Sequence, residues 1–237
     1  MVMQPTAIVT GASRGFGRAV ADELARRDWN LVIDARTASG LKEAATSLTS
    51  MGAGETRALV GDVTDPDHAR ALVDAAQGLG SLSLLVNNAG ILGPSPQLRL
   101  ATYPLESLDQ VIQVYLIAPL RLIQLALPDL RQHGGVVVNV TSDAAVEAYE
   151  AWGGYGAAKA ALEHLSRVLA VEEPGISVYW LDPGDMRTRM LQEAFPGEDI
   201  GDRPLPETRS PAVVRLIEEK PPSGRFTAES LLEKVTP

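Results

Sequence analysis

Thr10-Gly11-Ala12-Ser13-Arg14-Gly15-Phe16-Gly17 comes directly after a short apolar run, and an amphipathic segment follows it at once. Glycines at such a junction let the backbone approach a phosphate group, and the first turn of a helix presents free N–H groups and the positive end of its dipole. The stretch therefore predicts a dinucleotide pyrophosphate site, although a plain strand-to-helix turn would use the same residue types. A nucleoside triphosphate loop is disfavoured, because no Gly-Lys-Ser or Gly-Lys-Thr follows.

Short apolar runs alternate with longer amphipathic segments on both sides of this stretch, to about residue 182. The runs are nearly continuous in Val, Ile, Leu and Ala, which is typical of parallel strands covered on both faces. The pattern predicts an α/β fold with a Rossmann-like, doubly wound parallel sheet in a three-layer αβα sandwich, formed by a single domain over residues 1–237. The predicted strands are Thr6–Thr10, Leu31–Ala35, Arg57–Gly61, Ser83–Val86, Val136–Val140 and Ile176–Leu181, and the predicted helices are Gly17–Asp28, Leu41–Met51, Pro66–Leu79, Leu105–Gln132 and Gly154–Glu173.

Proline and glycine mark the irregular parts of this pattern. Pro119 and Pro128 lie inside the predicted helix Leu105–Gln132, where we expect a kink or an early end. The segment 187–211 is rich in proline, glycine and acidic residues and is expected to form a long, lid-like substrate loop. Near the C-terminus, Ser210–Lys220 is predicted to be a helix and Gly224–Thr227 an edge strand.

Composition limits the possible functions. The chain has 237 residues, 30 acidic and 21 basic, for a net charge of −9, which disfavours binding to nucleic acid or to anionic membrane surfaces. It contains no cysteine, so disulfides, thiolate metal clusters and a cysteine nucleophile are excluded. Met1–Pro5 lack the features of a signal peptide, and we expect no apolar run long enough to span a bilayer. We therefore expect a cytoplasmic protein.

Five motifs together resemble the short-chain dehydrogenase/reductase family. The Gly-x-x-x-Gly-x-Gly spacing after Thr10 is similar to its glycine motif, and Asn87-Asn88-Ala89-Gly90 is similar to the motif that supports the sheet beside the nicotinamide. Gly61-Asp62-Val63 resembles the segment that meets the adenine. Tyr155-Gly-Ala-Ala-Lys159, with Ser142 before it, and the Pro183-Gly184 element complete the set, which spans roughly residues 6–190.

The spacing of Tyr155 and Lys159 has a direct physical meaning. Residues four apart share one face of a helix, so both side chains point into the crevice at the carboxyl ends of the strands. An ammonium beside a phenol lowers the pKa of the phenol, so we expect Tyr155 to be tuned towards working pH. The resemblance implies hydride transfer with Tyr155 as general acid or base, Ser142 bonded to the substrate oxygen, and Lys159 on the nicotinamide ribose. No metal is expected, and His68, His133 and His164 are assigned surface or packing roles.

The end of the second predicted strand indicates which nicotinamide cofactor is used. Eighteen residues after Gly17 stands Ala35, where relatives that use NAD usually carry an acid. Arg36 and Arg14 suit a 2′-phosphate, so NADP(H) is preferred over NAD(H), although Asp34, expected on the other face of the strand, leaves this open. The residues expected to bind the cofactor are Gly11, Ser13, Arg14, Gly15, Phe16, Gly17, Arg36, Asp62, Val63, Asn88, Ala89, Gly90, Tyr155, Lys159, Pro183, Gly184, Met186 and Thr188.

The chain departs from the family pattern at Tyr115, which stands where the family usually has an asparagine that supports a proton-relaying water near the lysine. We hypothesise slower or redirected proton transfer, so that Tyr115→Asn raises turnover at saturating substrate. Phe16 in place of the commoner isoleucine is a mild change, because the contact there is largely through the backbone.

The sequence says less about the substrate and the partners than about the cofactor. Tyr149, Trp152, Leu92 and Pro94, with Met186 and Met190 at the lid-like loop, indicate a partly aromatic pocket for a medium-sized ketone or aldehyde, or the corresponding alcohol. The resemblance implies a homodimer or homotetramer whose helical interface could include Leu162, Leu165, Val168 and Leu169. The leading prediction is an NADPH-dependent carbonyl reductase, or an alcohol dehydrogenase in reverse. The alternatives are a non-catalytic NADP(H)-binding regulator or scaffold and, less favoured, a sugar-nucleotide epimerase or dehydratase.

Overall fold

The computed structural model describes residues 4–233 and contains one seven-stranded parallel sheet in the order β3-β2-β1-β4-β5-β6-β7. All six predicted strands are confirmed within three residues at each end, and the predicted edge strand near the C-terminus is the seventh. The strands are β1 (Pro5–Val9), β2 (Asn30–Ala35), β3 (Thr56–Val60), β4 (Ser81–Asn87), β5 (Val136–Val140), β6 (Ser177–Asp182) and β7 (Gly224–Thr227). The prediction of a single domain over 1–237 includes seven residues, 1–3 and 234–237, that lie outside the described part.

Helices cover both faces of the sheet, as the uninterrupted apolar strands require. Alternate residues of a strand enter different layers: Val9 packs with α1 and α2, whereas Ile8 packs with α3 and α5. The two edge strands, β3 and β7, are only partly buried. The helices are α1 (Gly15–Ala25), α2 (Ala38–Met51), α3 (Pro66–Gln77), α4 (Leu105–Ile112), α5 (Ala118–His133), α6 (Gly153–Glu172), α7 (Arg189–Ala194), α8 (Pro211–Glu219) and α9 (Ala228–Glu233).

The long helical region 105–133 does not end at either proline. A five-residue π-helical segment, Gln113–Ile117, joins α4 to α5, and Pro119 is accommodated at the start of α5. Pro128 lies inside α5, which continues to His133. The expected early end is therefore wrong, and the irregularity that does occur is a π segment, a feature frequent at functional sites.

The helical stretch Leu105–His133 also meets the length and hydropathy of a membrane span, contrary to the expectation that no run would do so. A core helix of a soluble protein passes the same test. Here the apolar side of α5 is covered by protein, because Leu122, Ile123 and Ala126 are almost fully buried against the sheet and α3. The buried face of α5 accounts for part of this hydropathy, since 39% of the most apolar window is buried.

The segment 187–211 is more ordered than the loop predicted from its composition. It contains α7, whose first turn is capped by Thr188: its hydroxyl oxygen accepts a hydrogen bond from the Leu191 amide at 3.2 Å. A short 3₁₀ turn, Pro206–Thr208, follows before α8 begins. The segment lies over one end of the crevice described next.

The order of the strands in the sheet determines where this crevice lies. From β1 the chain runs outwards to β2 and β3, then crosses to the other side of β1 to form β4. In doubly wound sheets, ligands bind where this direction reverses, beyond the carboxyl ends of the strands. The glycine stretch follows β1, and the Asn88–Gly90 stretch follows β4, so both lie at the reversal.

Candidate active site

A cavity of about 1450 Å³ opens at this reversal point. It is continuous from the loop after β2, past the start of α1, to the region between α6 and the 187–211 segment. Of the residues predicted to act in catalysis or in cofactor binding, all except Gly17 line this one cavity. The tertiary structure thus brings together residues that lie as far apart in sequence as Gly11 and Thr188.

The glycine stretch adopts the conformation that its residue types predict. Gly11 and Gly15 have φ angles of +68° and +61°, in the left-handed region where a side chain is strained. The Thr10 hydroxyl oxygen accepts hydrogen bonds from the amides of Asn88 and Ala89, at 2.9 and 3.0 Å, which ties the turn after β1 to the end of β4. The N-terminus of α1 consequently faces the cavity and can receive an anionic group.

Gly17 does not line the cavity, unlike the other residues predicted to bind the cofactor. A Cβ added at Gly17 would lie 2.2 Å from the Asn88 side-chain nitrogen and 2.9 Å from the Gly11 carbonyl oxygen. Its missing side chain therefore serves the close packing of α1 against the Asn88 side chain, and its effect on the cavity is indirect.

Asp34 has both carboxylate oxygens engaged. Oδ1 accepts the Gly11 amide at 2.7 Å, and Oδ2 lies 3.0 Å from Nε2 of His68 on α3. Asp34 is 1% exposed and His68 is 9% exposed, so His68 has the packing role expected for it. This carboxylate braces the glycine turn from behind, an arrangement that the sequence analysis did not predict.

Arg14 and Arg36 lie at the same end of the cavity, and both are exposed. Neither has an ion-pair partner within 4.0 Å among residues 4–233. Nearby, the Asp62 carboxylate accepts hydrogen bonds from the amide and hydroxyl of Thr64. Partial burial acts to raise the pKa of Asp62, but the Thr64 bonds and the charge of Arg36 outweigh it and lower that pKa. This end of the cavity therefore holds two arginines together with the carboxylates of Asp62 and Asp34.

The three predicted catalytic side chains come from two elements. Ser142 follows β5, and Tyr155 and Lys159 lie one turn apart on α6, whose first turns pack against the Ser142 turn. Gly156 permits this approach, since a Cβ there would lie 2.5 Å from the Ala144 carbonyl oxygen. Lys159 is 3% exposed and donates a hydrogen bond to the Val140 carbonyl oxygen at 2.7 Å.

The pKa values of Tyr155 and Lys159 differ from those expected for a tyrosine beside a charged lysine. Burial raises the pKa of Tyr155 well above 10, an effect that interaction with the Ser142 side chain reduces and the charges of Asp182 and Asp143 increase. Burial also lowers the pKa of Lys159 to about 7, against the opposing charges of Asp182 and Glu163. The expected lowering of the Tyr155 pKa by an adjacent ammonium is therefore wrong for the protein alone, because burial disfavours both charged forms.

Tyr115 lies directly beneath the lysine. The Lys159 Nζ atom is 3.9 Å from the centre of the Tyr115 ring and 5.6 Å from that of Tyr155. The Tyr115 hydroxyl donates to the Ile91 carbonyl oxygen at 2.8 Å, and the side chain is almost fully buried. Tyr115 belongs to the π segment, so the irregular turn and the departure from the family pattern coincide.

Two further groups at this site were missed by the sequence analysis. Asp143 accepts hydrogen bonds from the hydroxyls of Ser142 and Tyr149, at 2.8 and 3.0 Å. Arg225, on β7, bridges the buried carboxylates of Glu163 and Asp182 at 2.9 and 3.0 Å. The position of Asp143 next to Ser142 was a signal that could have been used, whereas nothing in the sequence connected Arg225 to the site.

The remaining lining is partly aromatic, as predicted. Tyr149, Trp152, Leu92, Met186 and Met190 line the cavity, and Pro94 does not. The Trp152 ring packs edge-on against Tyr155, with centroids 5.6 Å apart, and lies 5.9 Å from Phe195 of the 187–211 segment. Trp152 therefore contributes both to the pocket and to the contact that holds this segment in place.

Comparison with known proteins extends the sequence resemblance. The short chain dehydrogenase family model matches residues 5–199. A rhamnolipids biosynthesis 3-oxoacyl-acyl-carrier-protein reductase of Pseudomonas aeruginosa is 37% identical over 78% of this chain and 74% of its own. Sepiapterin reductase of Xenopus laevis is 31% identical over 95% and 88% of the two chains. The structure of an alcohol dehydrogenase from Thermococcus sibiricus, complexed with 5-hydroxy-NADP, has a TM-score of 0.84 and 26% identity and covers 94% of this chain and 95% of its own.

The sheet order, the glycine turn at its reversal point and the cavity between them define a doubly wound, Rossmann-like α/β protein. The match over residues 5–199, together with the relatives above, shows the family: the chain belongs to the short-chain dehydrogenases/reductases, and it is an oxidoreductase of that family.

Proposed function

We propose that this protein is an NADPH-dependent carbonyl reductase, which can also act in reverse as an alcohol dehydrogenase. The observation that carries the proposal is the single cavity that has two unpaired arginines at one end and Ser142, Tyr155 and Lys159 at the other. A cofactor bound along this cavity would have its adenosine phosphate near the arginines and its reactive ring near the tyrosine. The 5-hydroxy-NADP complex of the similar alcohol dehydrogenase supports the choice of cofactor.

The residues present fit a dinucleotide. The left-handed glycines Gly11 and Gly15 expose backbone at the start of α1, and a Cβ at Gly11 would lie 2.8 Å from the Ala89 Cα, so only glycine fits this junction. The pyrophosphate would be held at the N-terminus of α1, the adenine by Asp62 and Val63, and the nicotinamide side by Asn88–Gly90 and the Pro183-Gly184 element. When bound, the cofactor supplies or accepts the hydride.

Preference for NADPH follows from charge. Arg14 and Arg36 make no ion pair within 4.0 Å among the described residues, although Arg36 lies close enough to Asp62 to lower its pKa, so both guanidiniums can reach a 2′-phosphate. Asp34, the acidic group that could oppose this, is buried and committed to the Gly11 amide and His68. Asp34 lines the cavity, but it is 1% exposed and both its oxygens are engaged, which limits its repulsion of a 2′-phosphate.

The roles of the catalytic groups follow from their positions. Tyr155 donates its phenolic proton to the substrate oxygen, and Ser142 hydrogen-bonds that oxygen. The raised pKa of Tyr155 keeps it protonated at neutral pH, as a general acid requires. The positive form of Lys159 would lower the free-energy cost of forming the phenolate. Because the pKa of Lys159 is about 7, the fraction of Lys159 that carries this charge changes near neutral pH.

The substrate end of the cavity favours a neutral, partly apolar carbonyl compound. Trp152, Leu92 and the two methionines form its apolar walls. Asp143 and Asp185 lie near each other at its opening, and burial together with the charge of Asp143 raises the pKa of Asp185. These carboxylates would repel a small anionic acid, which supports a medium-sized ketone or aldehyde.

We further propose a cytoplasmic homo-oligomer. Leu162 and Leu169 are buried within the chain and serve its core, so an interface on α6 would use other residues than these two. Val168 and Val171 are 42% and 81% exposed on the same helix. The double substitution Val168→Asp and Val171→Asp should dissociate the oligomer, which size-exclusion chromatography would detect. A wild-type protein that elutes as a monomer would contradict the proposal.

The test is the loss of NADPH absorbance with a panel of ketones, diketones, quinones and aldehydes, with NADH run in parallel. Tyr155→Phe should lower kcat by at least about 10²-fold and leave NADPH affinity, measured by cofactor fluorescence, within about threefold. A wild type that binds NADPH but turns over no carbonyl would favour the non-catalytic regulator instead. Equal turnover by wild type and Tyr155→Phe would contradict the assigned role of the tyrosine.

A further inference from the structure

Each cycle of the proposed reduction leaves Tyr155 as a phenolate that must regain a proton from water. Tyr155 is 8% exposed, and its ring is packed between Trp152 and Tyr115, with centroid distances of 5.6 and 5.4 Å. Cofactor and product bound in the cavity would cover the phenol, so polar groups that contact it and reach the surface are a route for the proton.

The side beneath Lys159 offers no such path among the described residues. The ammonium donates to the Val140 carbonyl and is covered below by the Tyr115 ring. The Tyr115 hydroxyl donates to the Ile91 carbonyl and also interacts with the Tyr155 phenol, but it is buried and its other partner is a backbone carbonyl, so it leads to no exposed group among the described residues. A buried aromatic ring thus occupies the space below the lysine.

The side above Tyr155 is different. The Ser142 side chain interacts with the Tyr155 phenol. Its hydroxyl donates to Oδ1 of Asp143 at 2.8 Å, and Oδ2 of Asp143 accepts the Tyr149 hydroxyl at 3.0 Å. Asp143 and Tyr149 are both exposed, so the hydrogen bonds of Ser142, which lines the cavity together with Tyr155, lead to solvent.

We propose that Asp143 relays protons between water and Tyr155 through the Ser142 hydroxyl, in place of a path beneath Lys159. This proposal rests on the proposed function. In the reducing direction, the Asp143 carboxylate takes a proton from water and donates it to the Ser142 oxygen, while the Ser142 hydroxyl proton passes to the Tyr155 phenolate. One O–H bond breaks and one forms at each step, and the net change is one proton transferred from water to Tyr155. In the oxidising direction the same bonds carry the proton outwards.

Charge and proton transfer at Asp143 have opposite effects, which makes the proposal testable. Among the described residues, the charges of Asp182 and Asp143 disfavour the phenolate, and Lys159 Nζ lies 5.6 Å from the Tyr155 ring centre. If Asp143 acts by charge alone, Asp143→Asn eases formation of the phenolate and leaves later turnovers as fast as the first. If Asp143 also relays protons, the same substitution leaves the first turnover no slower than that of wild type and slows the following ones.

The experiment compares wild type, Asp143→Asn, Asp143→Glu and the control Glu147→Gln, which removes an exposed carboxylate from the same loop outside the cavity. Rapid-mixing traces of NADPH consumption give the first turnover, and steady-state rates at pH 8 to 9, where water supplies few protons, give kcat. We expect Asp143→Asn to lower kcat about tenfold with a first turnover no slower than that of wild type, Asp143→Glu to recover most of kcat, and Glu147→Gln to match wild type.

Two further readouts separate a relay from a structural effect. Small buffer acids such as imidazole should restore kcat of Asp143→Asn in proportion to their concentration, and the solvent isotope effect on kcat should rise. In a Tyr115→Asn background, which opens the space below Lys159, loss of Asp143 should cost less than about threefold.

The outcomes are distinct. An active wild type whose kcat is unchanged by Asp143→Asn, or whose loss is insensitive to buffer acids, overturns the relay and leaves the proposed reductase standing. A wild type that binds NADPH but shows no turnover contradicts the proposed function and the relay together.

Discussion

Replacing Lys159 with methionine should stabilise the cofactor-free protein at neutral and acidic pH. The ammonium is buried, and burial lowers its pKa from 10.5 to about 7, against the charges of Asp182 and Glu163. The unfolded chain therefore holds this proton up to about pH 10.5, whereas the folded chain releases it near pH 7. Folding is penalised wherever the folded protein must carry the charge, which is fully so below pH 7, and the penalty is relieved as the pH rises towards 10.5.

The magnitude follows from the same values. Each pKa unit corresponds to about 1.4 kcal/mol, so the full penalty is about 5 kcal/mol, and the free energy of unfolding of the wild type should rise by about 2.5 kcal/mol between pH 7 and 9. Methionine removes this dependence, but it also loses the hydrogen bond to Val140 and the contact with the Tyr115 ring, at about 1–3 kcal/mol together. The net gain of Lys159→Met at pH 6 should be about 2–4 kcal/mol.

Urea unfolding at pH 6, 7, 8 and 9, with no cofactor added, measures this difference. Other titrating groups are common to both proteins, so the quantity that matters is the gap between the two curves, which should shrink by about 2.5 kcal/mol from pH 7 to 9. Lys42→Met, at an exposed position of α2, serves as the control and should give a curve parallel to wild type. Parallel curves for Lys159→Met would refute the reasoning, because they would mean that Lys159 titrates equally in the folded and unfolded chains.

Three further substitutions test the rest of the site. Arg36→Ala should raise the KM for NADPH about tenfold and leave that for NADH unchanged, since one charge-assisted contact to a 2′-phosphate is lost; equal effects on both cofactors would contradict this. Gly17→Ala should destabilise the protein by about 1–3 kcal/mol, because its Cβ would lie 2.2 Å from the Asn88 side chain, whereas Gly175→Ala, with open space around it, should be nearly neutral in thermal unfolding. Arg225→Ala should cost about 3–5 kcal/mol in urea unfolding, because Asp182 loses its ion pair with Arg225 and Glu163 keeps only the longer contact with Arg167, at 3.6 Å; a loss under 1 kcal/mol would contradict this.

Features that depend on neighbours in sequence were predictable from the sequence. The apolar runs gave the strands within three residues of their observed ends, because a strand buried on both faces needs continuous Val, Ile and Leu. The glycine turn after β1 and the i, i+4 relation of Tyr155 and Lys159 are local as well. These patterns determined the fold class, and the motifs located the cavity, since the carboxyl ends of parallel strands meet at one edge of the sheet.

The tertiary structure decided what depends on residues that are distant in sequence. Asp34 meets His68 on another element, Arg225 on β7 reaches Glu163 on α6, and the Tyr115 ring covers Lys159 from below. The direction of a pKa shift belongs to this group too, because burial, which no local pattern specifies, outweighs the pairing of tyrosine and lysine that the motif suggests. Hydrophobic periodicity is a property of one element at a time, whereas the charges and hydrogen bonds of this site arise between elements, and only the folded chain places those side chains within reach of one another.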